Sequence, residues 1–592
     1  MPNNHNNRKS KKQKETLYTV SMIKNLYGIR PAMVRKYLPP PARVAIVDGQ
    51  KTEFWTRDQV QTLLNVPAVQ EFRREQQLAR KDDTVVRYLR SFDLEELYAR
   101  SAVLDRRFIL HVGPTNSGKT YQSILALKTA GTGAYLAPLR LLALEIFDRL
   151  NTDGVACDLL TGEEKIEVPF ASVVSSTIEM ADYLQHYDVA VIDEAQLIAD
   201  PDRGDRWLKA ILCLDASEMH LCFAPEAQEL ITGLLDRIHA DYTVVTHERM
   251  APLEYAGHLE SLNEVQPGDA LIVFSRRSAL AMAGELKLRN ITASVIYGAL
   301  PPVSRREEVR RFTSGETRVV VATDAIGMGV SLPIRRIIFC EDSKFDGTCR
   351  RPLTFGEIRQ IAGRAGRYGI YDLGLVMTLT DGDLIKNAMA PHAQAETLTR
   401  MTVPFPEAAL DSAYPLNVLF GAWERIPPTR GICRVSMKDA LLLYDVIRPF
   451  RNRFDKVQLY KLLCCPVDTS SFPLMAYWRD CCLCLARHLP LPEAPFDMDT
   501  LEHCEQLYKA LDIRHQLQQR AGLPTDSMDR RNEVSAEINR LLSEKLRHYA
   551  GTFCSLCGKP IQPCKGATMC DKCLLLKNMA NRYPSNRHSG RR

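Results

Sequence analysis

The sequence predicts an α/β protein with two tandem parallel sheets. Three observations carry that expectation. Short apolar runs alternate with helical stretches over residues 105–250, reading FILHV, GAYLAP, ASVVSST, DVAVIDEA and MHLCFAP. A second series follows over 251–381, reading ALIVFS, ITASVIYG, TRVVVATDA, RRIIFC and LGLVMTL. Strands alternating with helices in this rhythm build mostly parallel, doubly wound sheets. The third observation is local: the first run empties into a glycine loop that opens a helix.

That loop is Gly113-Pro114-Thr115-Asn116-Ser117-Gly118-Lys119-Thr120. Two glycines followed by Lys-Thr at this spacing make a P-loop, which cradles a polyphosphate. Glycines let backbone N–H groups wrap the anion, Lys119 reaches the β/γ-phosphates, and the Thr120 hydroxyl ligates Mg²⁺. The helix expected from about Lys119 to Thr129 points its positive end at the phosphates. The partner of such a loop is an apolar strand ending in acids. DVAVIDEA delivers Asp193 and Glu194, one to hold Mg²⁺ through water and one to polarise the attacking water. Both motifs fall at the carboxyl ends of their strands, where open α/β sheets bind ligands.

The second series has no P-loop. It carries ATDAIGMG (322–329) and QIAGRAGR (360–367). With ATP in the cleft, Arg364 and Arg367 reach across to the γ-phosphate, and arginine suits that role because it stays charged and donates in a fork. Hydrolysis then depends on closure of the two halves. Residues 251–268, with Pro252, Pro267 and Gly268, read as a linker between them.

The 592 residues carry a formal charge of +6. Residues 1–14 and 574–592 hold five basic residues each and no acid, so the body between them sits at −4. Any nucleic-acid grip by the body must therefore come from local patches, while the tails either add salt-sensitive phosphate attraction or are solvated, disordered ends. Seventeen cysteines, most of them single in apolar segments, suit a reducing compartment. No apolar run reaches the length of a membrane span. The N-terminus has no secretory h-region and no amphipathic transit face, and the expected compartment is cytoplasmic, with the mitochondrial matrix as alternative.

Residues 15–104 read as mostly helical, with one short strand in ARVAIVDG and a helix capped by Thr56 with Gln59 three residues on. Two helices around a glycine turn there are either a nucleic-acid-binding module or a packing unit. Residues 382–550 read as amphipathic helices. Within 551–576, Cys554-x-x-Cys557 and Cys570-x-x-Cys573 stand twelve residues apart and fit a tetrahedral zinc site; unpaired buried thiols or a redox pair are the alternatives, and Cys564 is a fifth-ranked ligand. Cys464-Cys465 and Cys481-Cys482-x-Cys484 lack knuckle spacing and read as core. A basic tail closes the chain over 577–592.

GPTNSGKT, PLRLLALEIF, TGEE, DEAQ, ATDAIGMG and QIAGRAGR together resemble the superfamily 2 DExH-type helicases, and more closely the mitochondrial degradosome RNA helicase family and its bacterial relatives. The resemblance covers about 105–550 and is densest from 108 to 380. It implies two RecA-like domains (105–250 and 251–381), a helical C-terminal domain bracing a nucleic-acid tunnel, and ATP-dependent 3′-to-5′ unwinding of RNA, with some DNA activity. It also implies a monomeric motor with an exoribonuclease partner. Residue by residue, it assigns Gln196 to the catalytic motif and Gln360, Arg364 and Arg367 to the arginine motif. It assigns Pro138, Leu139, Arg140, Thr161, Gly162, Glu163, Ser176, Thr177 and Thr323 to nucleic-acid backbone contact, and Asp324, Gly327 and Gly329 to coupling with the nucleotide. One departure is CFAPEA (222–227), where many superfamily members have Ser-Ala-Thr. The rivals are a DNA-preferring translocase, a non-hydrolysing ATP-dependent clamp and an ATPase acting on protein complexes.

Overall fold

The computed structural model describes residues 17–27, 29–47, 50–72, 82–92, 94–327, 332–346, 349–367, 369–379, 382–390, 393, 395–427, 429–525 and 528–547. The cysteines expected to hold zinc, 554, 557, 570 and 573, lie outside the described residues, as do Gly329 and both basic tails. The described residues form two compact units, one within Met1–Phe92 and Glu407–Ile426, the other within Asp93–Pro406 and Pro427–Arg592.

In the first unit, Thr56 caps helix Arg57–Leu64 as expected: its hydroxyl accepts from the Gln59 N–H (3.3 Å) and Gln59 Oε1 accepts from the Thr56 N–H (3.0 Å). The single expected strand is in fact part of a three-stranded antiparallel sheet, ordered Leu17–Tyr18, Gln50–Thr56, Arg43–Val47. The polar run QKTEFWT hid the second long strand, since only Trp55 of it points into the core with Ile23, Ile29, Val34 and Leu63. Helices Asp82–Arg90 and Leu416–Arg425 complete this unit.

The second unit holds both parallel sheets. The first orders Asp241–Thr246, Arg107–Val112, Asp215–Phe223, His186–Ile192, Gly133–Ala137, Val173–Thr177, Cys157–Leu160 and Lys165–Ile166, parallel throughout except for the last pair. The P-loop strand Arg107–Val112 is buried between two neighbours. Helices Lys119–Thr129 and Arg140–Thr152 cover one face, packing Ile124, Leu127, Leu144 and Leu150 on Tyr135, Val173 and Val191. The second sheet orders Leu253–His258, Gly374–Thr378, Arg336–Phe339, Asp269–Ile272, Val319–Ala322 and Ala293–Ile296, all parallel.

The linker expected over 251–268 needs correction. Leu253–His258 is an edge strand of the second sheet, paired with Gly374–Thr378. Pro252 sits just outside it, where a missing N–H costs no ladder bond. The chain therefore passes between the sheets within a few residues of His247.

After 381 the described residues are mainly helical, with a small parallel pair Met401–Val403 and Ile432–Arg434. Helices Leu501–Arg520 and Met528–Arg547 share a core with one face of the second sheet: Leu507, Leu511, Val534 and Ile538 meet Leu271, Val295, Val319 and Ile338. Of the cysteines read as core, Cys465, Cys481 and Cys482 are buried, whereas Cys464 and Cys484 are only partly so. No helix among the described residues is long and apolar enough to cross a membrane.

Candidate functional site

Helix Lys119–Thr129 starts where the sequence places it. The turn into it is sharp: Gly118 at its N-cap has φ +83° and Asn116 φ +61°, a left-handed conformation that glycine and asparagine tolerate. A Cβ on Gly113 would lie 2.5 Å from the His247 carbonyl oxygen, so only glycine fits there. The Lys119 ammonium folds back on the loop and donates to the Gly113 (2.6 Å) and Pro114 (2.7 Å) carbonyls. Burial lowers its proton affinity, while Glu194 and Asp193 oppose that shift. The Ser117 hydroxyl is buried in the loop with no hydrogen-bond partner.

Asp193 follows strand His186–Ile192 and is almost fully buried. Its carboxylate accepts from Thr120 Oγ1 (3.2 Å), Tyr135 OH (2.7 Å) and the Glu194 N–H (2.9 Å). Burial, then the neighbouring Glu194 charge, push its pKa up to about 6 against those bonds. A buried carboxylate so disfavoured is one that a cation would relieve. Glu194 itself has φ +49°, an uncommon state for a non-glycine residue and one that gathers at functional sites. Gln196 Nε2 donates to Glu194 Oε2, and Gln196 Oε1 accepts from the Ala224 N–H (3.3 Å). The CFAPEA segment thus holds the glutamine that holds the acid.

The second half of the site comes from helix Phe355–Ala362 and the turn after it. Arg364 donates to the Gly327 carbonyl (Nη2 2.6 Å, Nε 3.2 Å) and stands 3.5 Å from Glu194 Oε1. Gln360 lies beside Gly327. Asn116 Nδ2 donates to the Gly363 carbonyl (2.9 Å), so the two loops touch. Lys119, Thr120, Asp193, Glu194 and Arg364 are therefore assembled in one place. Arg367 is half-buried at the end of the turn, its carbonyl accepting from the Tyr371 N–H (2.9 Å). Asp324, at the start of the turn that ends in Gly327, pairs with Lys344 (3.1 Å).

Sequence reasoning missed several residues here. Tyr135 is one; Arg249, whose guanidinium donates to carbonyls on both loops, is another. A row of histidines lies beside the P-loop: His220 Nδ1 meets His111 Nε2 (2.8 Å), and His111 Nδ1 meets His247 Nε2 (3.0 Å). Each is a lone histidine in its own segment, and only the strand order brings them together.

The residues expected to touch nucleic acid fall at the carboxyl ends of the strands, in the last residues of a strand, the loops that follow or the first residue of a helix. Pro138 follows Gly133–Ala137, Thr177 ends Val173–Thr177 and Thr323 follows Val319–Ala322. Arg140 pairs with Glu163 and stands 3.6 Å from Asp512. Thr161 Oγ1 accepts from the Glu164 N–H (2.9 Å), and Glu163 accepts from Tyr508 OH (2.8 Å). Gly162 abuts the Gln516 side chain. Ser176 and Thr177 are buried, and Ser176 Oγ donates to the Thr177 carbonyl (3.3 Å). The Pro138 carbonyl accepts from Arg203 Nη2 (2.7 Å), and Thr323 Oγ1 from the Ala325 N–H (3.4 Å). Arg140, Gly162 and Glu163 are thus met by helix Leu501–Arg520.

Comparison with known proteins places this geometry. Residues 95–247 match the DEXQ-box helicase domain of Suv3, and residues 254–369 match the helicase conserved C-terminal domain. The chain is 44% identical over 363 residues to the Arabidopsis thaliana DExH-box ATP-dependent RNA helicase DExH18, mitochondrial, covering 60% of this chain and 46% of that one. It is 38% identical over 348 residues to the Homo sapiens ATP-dependent RNA helicase SUPV3L1, mitochondrial, covering 55% and 44%. The chain spans about half the length of the curated relatives it matches. The Escherichia coli DEAH/RHA helicase HrpB aligns at 16% identity and a TM-score of 0.43, over 78% of this chain and 61% of its own, a likeness too loose to add anything. The cytoplasmic compartment expected from the sequence finds no support here, since the names of these relatives say mitochondrial.

Proposed function

We propose that the chain is an ATP-dependent RNA helicase with a superfamily 2 core of two tandem RecA-like domains; the matches of residues 95–247 to the DEXQ-box helicase domain of Suv3 and of 254–369 to the helicase conserved C-terminal domain support that reading. It hydrolyses ATP, translocates 3′-to-5′ along single-stranded RNA and separates duplexes, in RNA processing or decay in the mitochondrial matrix. One observation carries the hydrolytic part: Lys119, Thr120, Asp193 and Glu194 from the first sheet meet Arg364 from the second, with 3.5 Å between Arg364 and Glu194. The substrate and compartment rest on the resemblance and on the names of the relatives.

The residues fit nucleotide and metal. The unpartnered Ser117 hydroxyl, the Lys119 ammonium resting on two carbonyls, and the loop cradle that a Cβ on Gly113 would fill are suited to a polyphosphate. Thr120 and Asp193 are the hard-oxygen donors that would hold Mg²⁺. When bound, Mg²⁺ would supply charge neutralisation to the phosphates. Glu194, oriented by Gln196, takes a proton from the attacking water. Lys119 and Arg364 stabilise charge on the transferring phosphoryl group, Arg364 only when the halves are closed. Closure and reopening move the loops bearing Pro138, Arg140, Thr161, Gly162, Ser176, Thr177 and Thr323 along an RNA backbone, which suits a motor that must pass any sequence.

Finer parts of this reading are the division at 105–250, 251–381 and 382–550, a zinc module over 551–576 held by Cys554, Cys557, Cys570 and Cys573, roles for Gln360, Arg367, Asp324 and Gly327 in the cycle, a monomeric motor and an exoribonuclease partner.

The test is ATP hydrolysis with and without single-stranded RNA or matched DNA, wild type beside Glu194→Gln. RNA-stimulated turnover that disappears in the variant is the expected result. Equal stimulation by DNA replaces the RNA helicase with a general translocase. ATP-dependent RNA binding without hydrolysis leaves only a clamp.

A further inference from the structure

The stretch that carries the chain from the first sheet to the second runs beside the P-loop. The His247 carbonyl packs on Gly113 and the Met250 methyl on Gly118. Between them Arg249 turns inward. Its guanidinium donates to four carbonyls: Nε to Ala251 (2.7 Å), Nη1 to Thr115 (2.8 Å) and Gly363 (2.8 Å), and Nη2 to Ala365. Among the described residues no carboxylate pairs with it, and burial alone lowers its pKa, to about 10.

We propose that Arg249 is a positioning residue for Arg364, fixing the backbone on both sides of that arginine against the P-loop. Gly363 and Ala365 are the immediate neighbours of Arg364 in the chain, and Thr115 belongs to the phosphate loop. One planar fork holds all three carbonyls. Asn116 adds a second bond to the Gly363 carbonyl (2.9 Å), and Gly363 approaches Thr115 so closely that a Cβ there would stand 2.7 Å from the Thr115 Cβ. The distance from Arg364 to the phosphates is therefore set by a residue that belongs to neither motif. Lysine cannot replace it: one ammonium has the charge but not the spread of donors needed to reach carbonyls on three segments. The proposal rests on the hydrolytic reading above.

The experiment uses the full chain with saturating single-stranded RNA and compares wild type, Arg249→Lys, Arg249→Gln, Arg364→Gln and the double variant Arg249→Gln/Arg364→Gln. It reads kcat and KM for ATP, affinity for a non-hydrolysable ATP analogue, and melting temperature. Both Arg249 variants are expected to lower kcat by roughly 30- to 100-fold, since misplacement by about 1 Å costs that much. KM and analogue affinity stay within about threefold, because ground-state binding is untouched. The double variant is expected to be no slower than Arg364→Gln alone. Multiplicative losses overturn the proposal, as does a full-rate Arg249→Lys. A rise in KM and analogue Kd at unchanged kcat overturns it in favour of direct phosphate binding. Should Arg249→Gln melt early, Arg249→Lys alone decides. A wild type that does not hydrolyse ATP overturns the helicase reading and the proposal with it; an active wild type with any of the other adverse results overturns the proposal only.

Discussion

Gly363→Ala probes the seam between the two halves with a single methyl group. The new Cβ would lie 2.7 Å from the Thr115 Cβ and 3.1 Å from its hydroxyl, where ordinary contact begins at 3.4 Å. The Thr115 methine must therefore retreat by about 0.7 Å, and the P-loop with it, because dispersion contacts tolerate little compression. The Arg359 carbonyl oxygen, 2.9 Å from the same Cβ, adds a second contact that must give. A shift of this size at a catalytic seam costs roughly 10²-fold in rate, or about 2.7 kcal/mol of barrier. Steady-state ATP hydrolysis with saturating single-stranded RNA reads the effect: kcat falls about 100-fold while KM moves less than about threefold. Thr115→Gly in the same chain removes the opposing Cβ and recovers most of the loss, which separates a clash from general damage. Unchanged kcat in Gly363→Ala would refute the argument, because the two loops would then not meet at this separation during turnover.

Other expectations follow from the same structure. Glu194→Gln lowers kcat by roughly 10²- to 10⁴-fold with ATP binding intact, as loss of a general base does; equilibrium nucleotide binding beside the rate measurement checks both halves of that statement. Asp269 makes two bonds to Arg336 (2.7 and 2.5 Å) inside the second sheet with no exposure of its own, so Asp269→Ala strands a buried guanidinium and costs about 3–5 kcal/mol in denaturant unfolding. Burial, then His220 and His247, push His111 from 6.5 down to about 3. A histidine whose folded pKa is depressed lends stability that is present above 6.5 and lost as pH falls towards 3. Between pH 7 and pH 5 the wild type should lose up to about 2 kcal/mol more than His111→Asn, measured by denaturation at both pH values. The zinc reading expects one zinc per chain by elemental analysis, lost in Cys554→Ser/Cys570→Ser.

What the sequence made legible was local. The P-loop, its helix from Lys119 to Thr129 and the acids after Ile192 are contiguous patterns whose chemistry fixes their conformation. Most interior strands were legible for the same reason, though Cys157–Leu160 was not, and of the edge strands Ala293–Ile296 was legible. Two other edge strands were not. Asp241–Thr246 alternates exposed residues with half-buried ones, and Leu253–His258 carries Gly257 and follows a proline, so neither has the continuous apolar run of a buried parallel strand. Arg249 left no trace for a different reason. It binds Gly363, 114 positions away, through a backbone carbonyl, a group every residue has. The histidine row is similar: His111, His220 and His247 become neighbours only through the order of three strands that are far apart in the chain.

Helix Leu501–Arg520 is fastened to both halves of the core. Glu505 accepts from Arg276 (3.0 Å) and Tyr297 (2.6 Å) of the second, while Tyr508 donates to Glu163 and Asp512 faces Arg140 of the first. From Glu505 to Asp512 is about 10 Å along the helix axis. Because the helix shares a core with the second sheet it moves with that half, and its bonds to Glu163 and Arg140 oppose sliding of the first half past it. If the cleft closes as the proposed motor requires, the C-terminal helices move with the second half, and a distance probe between Met528–Arg547 and the first half would record that closure without touching the cleft.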